Sequence, residues 1–462
     1  MSDKTKTLVI LPHQLFAVKH FPESFTNANT KVVLWEHPQY FTKYNFNKKK
    51  LLLHRAAMKY YNQYLKDLGF SVKYVPFYSS VPRRAPSGGD NYFVFDPIDK
   101  INIEATLIES PNFLLTKENY ETYRNKTKKT RGVQFNAFYT FGKKIVDIIP
   151  QVKSQDKDNR KRMPDDVVVP PLPPLQSLNS KKYRSIMSAA KTYVKKHFPD
   201  NCGTLPNKAD SFLFPITHAD ANKWLEHFIE KKFKKFGDYQ DFIDKDNEYL
   251  FHSVLSSSIN CGLITPCDII DIFKKLKLEK TIPMNSFEGY IRQLFWREYQ
   301  RYCYIYYGDE LESSKYFHTG TRSVSNWYPT GKQLGIPPVD NAIKEAFENG
   351  YLNHISRLMI MGNFMNLSGI APKEGFKWFM EFSCDSYEWV MYQNVYDMVF
   401  FVSGGATMRR PYISSSNYIT KMSNYPKGEW TKTWDNLYQE FIRKNKKELH
   451  KFRYLYYRYR LK

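Results

Sequence analysis

Cysteine is scarce in this 462-residue chain, and the five present (Cys202, Cys261, Cys267, Cys303 and Cys384) form an odd set with no C-x-x-C pair. That excludes a disulfide framework and argues against a four-cysteine zinc site. Long apolar runs are also missing, since none approaches the roughly 18 residues that a spanning helix needs. The opening run Leu8-Val9-Ile10-Leu11 is too short for the apolar region of a secretory leader. A soluble intracellular protein, cytoplasmic or nuclear and without a membrane partner, is therefore expected. The first apolar run is not followed by G-x-G-x-x-G, so no dinucleotide-binding loop is announced, and no repeat of about 20 to 50 residues is found. Acidic residues are in deficit: 46 Asp and Glu face 69 Lys and Arg, a net charge of +23. This balance favours an anionic partner.

Aromatic residues are plentiful at 17 %, with 35 Tyr and 34 Phe. Rings interleaved with cations suit base stacking and phosphate contact, as in nucleic-acid binding. A coding sequence rich in A and T would produce a similar Lys, Asn, Tyr and Phe bias. The C-terminal run from Phe452 to Lys462, dense in Tyr and Arg, fits either a nucleic-acid contact or a packed helix with solvated cations.

The chain has length enough for two or three domains. Short β-branched or aromatic runs at 7–11, 31–35, 71–76 and 92–95, with a helical pattern from Leu51 to Leu68, predict a Rossmann-like parallel α/β domain over residues 1–135. A polar and then proline-rich stretch within 136–181, including Val169-Pro170-Pro171-Leu172-Pro173-Pro174, reads as an interdomain linker. Helical periodicity dominates 182–462, for example over Ala219–Phe236, Val339–Glu348, Leu352–Leu367 and Lys373–Tyr392, and predicts an all-α domain.

Chemistry is densest between residues 251 and 299. Ser253 and Ser256, close to the turn-forming Asn260-Cys261-Gly262, supply hydroxyls of the kind that hydrogen-bond phosphate oxygens at a helix start. Glu288, Arg292 and Glu298 then alternate with Trp296 and Tyr299 at helical spacing. An ordinary amphipathic helix with surface ion pairs would look the same. Further ordered motifs are Asp156-x-x-Asn159-Arg160, Phe236-Gly237-Asp238-Tyr239-Gln240-Asp241, His354-Ile355-Ser356-Arg357, Gly362-Asn363-Phe364, Asp385-x-Tyr387-Glu388-Trp389-Val390 and Pro411-Tyr412-Ile413-Ser414 with Asn417-Tyr418-Ile419. Together they resemble the photolyase/cryptochrome family, and within it the branch of prokaryotic (6-4) photolyases and related cryptochromes that carry an iron–sulfur cluster.

The resemblance implies an FAD-binding helical domain. His252, Ser253, Leu255 and Ser256 would hold the cofactor, the last three at its phosphates, with Glu288 and Arg292 lining the cavity, and Arg357 with Asp385 would bracket the flavin ring. His354, Tyr412 and Tyr418 fall where the branch contacts its lesion, with histidine suited to moving a proton near neutral pH and tyrosines to stacking on a flipped dinucleotide. Trp378, Tyr387 and Trp389 offer oxidisable rings on one helix for electron supply, and would serve equally as core packing. Trp35-Glu36-His37 and Lys48-Lys49-Lys50 lie where the branch holds a ribityllumazine antenna.

Three features depart from the branch. The cluster cysteines are replaced by Pro338, by Pro426 and Glu429, and by Lys432 or a neighbour, so no iron–sulfur cluster is expected; packing by Trp430, Trp434 and Tyr438 would have to hold that segment instead. Asn353-His354 stands in place of two adjacent histidines, and Met391 in place of a glutamate near flavin N5. The expectation is a monomeric, light-driven, FAD-dependent lyase acting on UV-damaged DNA and reversing (6-4) photoproducts. Its rivals are a cryptochrome-like photoreceptor without repair activity and a degenerate relative that only binds DNA.

Overall fold

The computed structural model describes residues 5–79, 91–127, 133–149, 154–207, 212–317, 320–324, 327, 333–452 and 455. Most of the C-terminal Tyr/Arg run, namely 453, 454 and 456–462, lies outside them. The first half is a five-stranded parallel sheet of β1 (Lys6–Ile10), β2 (Thr30–Trp35), β3 (Ser71–Val75), β4 (Tyr92–Phe95) and β5 (Thr106–Ile108), in the order β3-β2-β1-β4-β5. Its central strands are apolar runs buried on both faces, as parallel strands must be when helices cover them. Asn47 starts α1 (Lys48–Asp67) by accepting a hydrogen bond from the Lys49 amide at 2.9 Å.

Two helices follow, α2 (Lys117–Thr127) and α3 (Phe135–Val146), so the stretch expected to begin a linker begins instead with a helix. The reason is tertiary. Phe135 stacks on Trp296 with centroids 3.7 Å apart, and the Gln155 amide donates to buried Glu288 at 2.7 Å. Only the later part runs extended, where Val167 and Val169 pack on a small apolar cluster of Met163, Phe242, Leu250 and Phe251.

The rest of the chain is helical: α4 (Lys181–His197), α5 (His218–His227), α6 (Phe233–Tyr239), α7 (Ser256–Cys261), α8 (Pro266–Lys275), α9 (Met284–Ser313), α10 (Pro337–Asn349), α11 (Asn363–Leu367), α12 (Pro372–Phe382), α13 (Glu388–Met391), α14 (Ser416–Lys421) and α15 (Glu429–Lys444). Wider π turns over Phe228–Lys232, Ser356–Gly362 and Tyr392–Val399 join or extend several of them, and such turns recur at functional sites. No helix among the described residues is long and apolar enough to cross a membrane.

The two halves share one apolar core running from Leu8 in β1 to Trp434 in α15. The crevice at the carboxyl ends of β1 and β4, where open α/β sheets usually take a ligand, is filled by the helical half. Tyr387 lies 5.4 Å from the His13 ring and 5.9 Å from Tyr40, and the Trp389 amide donates to Asp99 at 2.8 Å. Burial, with Glu388 nearby, pushes the Asp99 carboxyl up to about 8. The residues matched to an antenna site are likewise engaged in packing. Glu36 accepts from Arg55, Tyr74, Tyr193 and the Phe77 amide, while Lys49 and Lys50 donate to the carbonyls of Glu348 and Ser386.

Helix α9, 30 residues long, is the axis on which the site is assembled, and α6 crosses it with backbones nearly touching. A Cβ on Gly237 would meet the Ser286 amide nitrogen at 2.6 Å, and the Gly237 amide already donates to Ser286 Oγ at 2.8 Å. Gly237→Ala is expected to cost about 1–3 kcal/mol through forced separation of the helices, read as a lower midpoint in thermal unfolding. An unchanged midpoint would show that the crossing yields freely.

Candidate active site

A cavity of about 630 Å³ opens between α9, the loop before α7, the π turn after His354, the Asp385 loop and the segment 410–418. Eleven of the predicted site residues line it: His252, Ser253, Leu255, Ser256, Arg292, Arg357, Asp385, Met391, His354, Tyr412 and Tyr418. They come from positions up to 166 residues apart in sequence and meet only in the folded chain.

The centre is an ion pair. Arg357 grips Asp385 with both nitrogens of its fork, Nη1 to Oδ1 at 2.9 Å and Nη2 to Oδ2 at 3.1 Å, while its Nε donates to the Leu352 carbonyl at 2.7 Å. Ser256 donates to Asp385 Oδ2 at 2.6 Å, Ser383 also donates to this carboxylate, and Asn260 donates to the Asp385 carbonyl at 2.7 Å. Burial pushes the Asp385 carboxyl up, and the Arg357 guanidinium with these hydroxyls outweighs it, holding the group below the usual carboxylate value. One expected phosphate hydroxyl, that of Ser256, is thus committed to Asp385. Ser253 accepts a long hydrogen bond from Tyr290, at 3.4 Å.

The loop that carries Ser253 is held in an unusual shape. Leu250 and Val254 both take left-handed backbone conformations, with φ of 39° and 53°. For a β-branched residue such as Val254 this costs on the order of 1–3 kcal/mol, and the result is a cavity wall formed by His252, Ser253 and Val254 together.

At the mouth, His354 Nε2 lies 3.2 Å from Asp241 Oδ1, and Arg160 Nε lies 3.6 Å from the other Asp241 oxygen. His354 keeps 39 % of its side-chain surface exposed, so its ring is anchored yet reachable from solvent. Burial, with Asp241 close by, pushes the Tyr418 phenol up, so it stays a hydrogen-bond donor. Asn353 does not reach the cavity wall. It is buried, donating to the Glu248 carbonyl at 3.1 Å and accepting from the Ser356 amide at 2.9 Å.

Four expected site residues lie outside the cavity wall. Glu288 faces the linker rather than the cavity, because its carboxylate is consumed by the Gln155 amide and, at 3.4 Å, the Tyr139 hydroxyl. Trp378, Tyr387 and Trp389 do not share one helix, since the polar turn at 383–386 breaks the expected run between α12 and α13. Trp378 is fully buried and donates its indole N–H to the Trp327 carbonyl at 3.0 Å. The Tyr387 hydroxyl is hydrogen-bonded to His54 at 2.9 Å. Trp389 packs its ring 4.8 Å from the Arg297 guanidinium, beside the wall residues Val390 and Met391.

Arg297 is a wall residue that the sequence alone did not mark, although it stands between Trp296 and Glu298 of the helical pattern. Its Nε donates to Asn260 at 2.9 Å and its Nη1 to the Asn112 carbonyl, but its buried Nη2 has no hydrogen-bond partner. Burial pulls the guanidinium down to about 10. A buried donor without an acceptor costs about 1–3 kcal/mol or more, which marks this wall as shaped for an anionic occupant.

The segment that would carry cluster cysteines is closed by packing. Trp434 is fully buried, stacks on Phe364 at 5.4 Å and donates to the Ser414 carbonyl at 3.0 Å; Trp430 donates to the Pro426 carbonyl at 3.0 Å. Among the described residues no three His, Cys, Asp or Glu side chains are grouped to hold a metal ion. Iron and acid-labile sulfide in purified protein are expected at background; about four of each per chain would overturn this.

Comparison with known proteins agrees with this architecture. A family model described as deoxyribodipyrimidine photo-lyase-related protein matches residues 8–86 and 95–209. A protein of Agrobacterium fabrum named (6-4) photolyase is 39 % identical over 267 residues, 55 % of this chain, and the match spans 52 % of that protein, about half its length. An uncharacterized protein of Acanthamoeba polyphaga mimivirus is 57 % identical over 88 residues, covering 19 % of this chain and 72 % of its own length. Among solved structures, a class III photolyase from Agrobacterium tumefaciens superposes with TM-score 0.59 at 14 % identity, covering 98 % of this chain and 90 % of that one. A Synechocystis cryptochrome follows with TM-score 0.56 at 13 % identity, covering 97 % and 90 %. The chain is thus similar to the deoxyribodipyrimidine photo-lyase-related proteins over residues 8–86 and 95–209, and its fold is photolyase-like over 98 % of its length.

Proposed function

We propose that this protein is a blue-light-driven, FAD-dependent DNA lyase that reverses pyrimidine (6-4) photoproducts. The observation that carries the reading is the placement of His354, Tyr412 and Tyr418 on the same cavity as the Arg357–Asp385 pair. A lesion flipped into the mouth would lie against a flavin held deeper in.

The cavity fits the cofactor. Apolar side chains including Ile259, Leu294, Met359, Phe379 and Met398 form walls for a ring system, and the unpartnered Arg297 Nη2 suits an anionic group such as a pyrophosphate. When bound and reduced, FAD would lend the photoexcited electron to the lesion and take it back after bond cleavage, since the reversal is redox-neutral. The residues of the chain do the rest. Arg357, fixed by Asp385, keeps a cation beside the cavity, and Asp241 orients the His354 ring toward the mouth for proton delivery to the damaged base. Tyr412 and Tyr418 provide ring faces and hydroxyls for the flipped pyrimidines. Arg160 and Arg410, both exposed and both at the cavity, extend the basic surface toward phosphates.

Two observations favour the rival, a photoreceptor without repair activity. Asn353, standing where the branch has a second histidine, is locked in the backbone, and Met391 in the wall neither gives nor takes a proton. The separating test reconstitutes full-length protein with FAD in the dark and measures both retained flavin absorbance after gel filtration and preferential binding of an oligonucleotide carrying one (6-4) photoproduct. Retained flavin with lesion preference supports the lyase. Retained flavin without it moves the assignment to the photoreceptor, and loss of flavin contradicts both. A ribityllumazine antenna belongs to the same proposal as an accessory light collector, to be sought in the same spectra.

A further inference from the structure

The cavity holds a second imidazole besides His354. His252 is 7 % exposed, lies in the wall, and presents its ring edge-to-face to His354 with centroids 5.4 Å apart at 79°. Its other ring neighbour is Phe236, at 5.9 Å. Its Nε2 is buried with no hydrogen-bond partner, which is uncommon for a native side chain and points to an occupant of the site as the missing partner.

We propose that His252 is the second histidine of the lesion site, hydrogen-bonding the flipped pyrimidine pair and holding the His354 ring against it. The proposal rests on the repair reading above.

The adjacent residue cannot fill this role, because both ends of the Asn353 side chain are spent on backbone groups away from the cavity. The loop geometry instead delivers an imidazole from 102 positions earlier in the chain. Left-handed backbone at Leu250 and Val254 brackets His252, whose amide donates to the Tyr249 carbonyl at 2.9 Å. Beneath it, Lys232 donates to the Leu250 carbonyl at 2.8 Å and fixes the loop.

The two rings occupy different electrostatic settings. His354 is paired to a carboxylate at the solvent-facing mouth. His252 is pulled well below its ordinary value by burial first, and then by His354 and Lys232. It therefore stays neutral at physiological pH. A neutral imidazole offers one donor and one acceptor, and its tautomer can match either a pyrimidine carbonyl or a ring N–H. A neutral ring also sits beside a histidine that shuttles a proton without the repulsion two imidazolium ions would suffer. The pair thus divides the work, with His354 moving the proton and His252 orienting its partner and the base.

The test uses full-length, FAD-reconstituted protein with two variants, His252→Phe, which keeps ring packing against Phe236 and His354 but removes both nitrogens, and His252→Ala. Dark binding is compared between duplex oligonucleotides with and without a single (6-4) photoproduct, light-driven repair is followed by product analysis, and flavin content is recorded. Compared per flavin-loaded molecule, both variants should keep affinity for undamaged DNA while losing about tenfold or more in lesion preference, and free imidazole should restore part of the repair in His252→Ala. Restoration by imidazole would not follow from a merely structural role. Unchanged lesion preference and repair in His252→Phe overturns the proposal and leaves the repair reading intact. Reduced flavin content with unchanged lesion preference also overturns it, assigning the ring to the cofactor. Absence of lesion preference and repair in the unsubstituted protein refutes the repair reading itself, and His252 with it.

Discussion

If the proposed function holds, replacing His354 by Ala is expected to abolish light-driven (6-4) repair, with the rate falling by at least about 100-fold, the contribution of a positioned proton donor, while bound flavin remains at the level of the unsubstituted protein. The dissociation follows from where the ring stands. His354 is tied to Asp241 at the mouth and touches neither Arg357 nor Asp385 through a hydrogen bond, so removing it leaves the deeper half of the cavity intact. Its 39 % exposed side chain also contributes little to the core. Product analysis under blue light, with the flavin absorbance recorded on the same sample, checks both halves of the prediction. Full repair by His354→Ala would remove this histidine from the mechanism.

Asp385→Asn should produce the largest loss of stability among single substitutions at the site, about 3–5 kcal/mol, because the Arg357 guanidinium is left largely buried without its counter-charge. The pH dependence has a definite sign. The folded-state carboxyl is held below its ordinary value of 3.8, so its stabilising contribution is present above that value and is lost as pH falls through the lower folded-state value. In the Asn variant that part of the acid sensitivity disappears. Denaturant unfolding at neutral pH and at about pH 3 measures both effects. Equal stability of the two proteins at neutral pH would show that the ion pair is not what holds the Asp385 loop to the π turn at 356–362.

The α/β half was legible because its strands are short, strongly apolar and separated by a clear helical period, which burial on both faces of a parallel sheet imposes directly. Strand β5 escaped notice for a physical reason. It is three residues long at the sheet edge and two of them are exposed, so it carries little apolar signal. The break at 383–386 was missed because the hydrophobic period resumes in phase on either side of a polar turn that a buried Arg–Asp pair stabilises. The linker's helical opening depends on Trp296 and Glu288, more than 130 residues away, and no local pattern reports such a contact.

The candidate site divides similarly. Residues within quoted motifs, such as Arg357 and Asp385, could be paired from the family resemblance. Arg297, Asp241 and the His252–His354 contact could not be placed, because their roles come from an orphaned guanidinium nitrogen, a carboxylate–imidazole pair and two rings that meet only across the fold. Burial decided the remaining differences: Glu288 and Ser256 carry the expected chemical groups, yet each is already hydrogen-bonded to another part of the chain.

The most direct measurement is product analysis of dark-purified, FAD-reconstituted protein incubated under reducing conditions with an oligonucleotide carrying one (6-4) photoproduct, with and without blue light. Light-dependent return of the intact dinucleotide is expected, without iron in the protein. A sample that binds photoreducible flavin and leaves the lesion unchanged after illumination would contradict it.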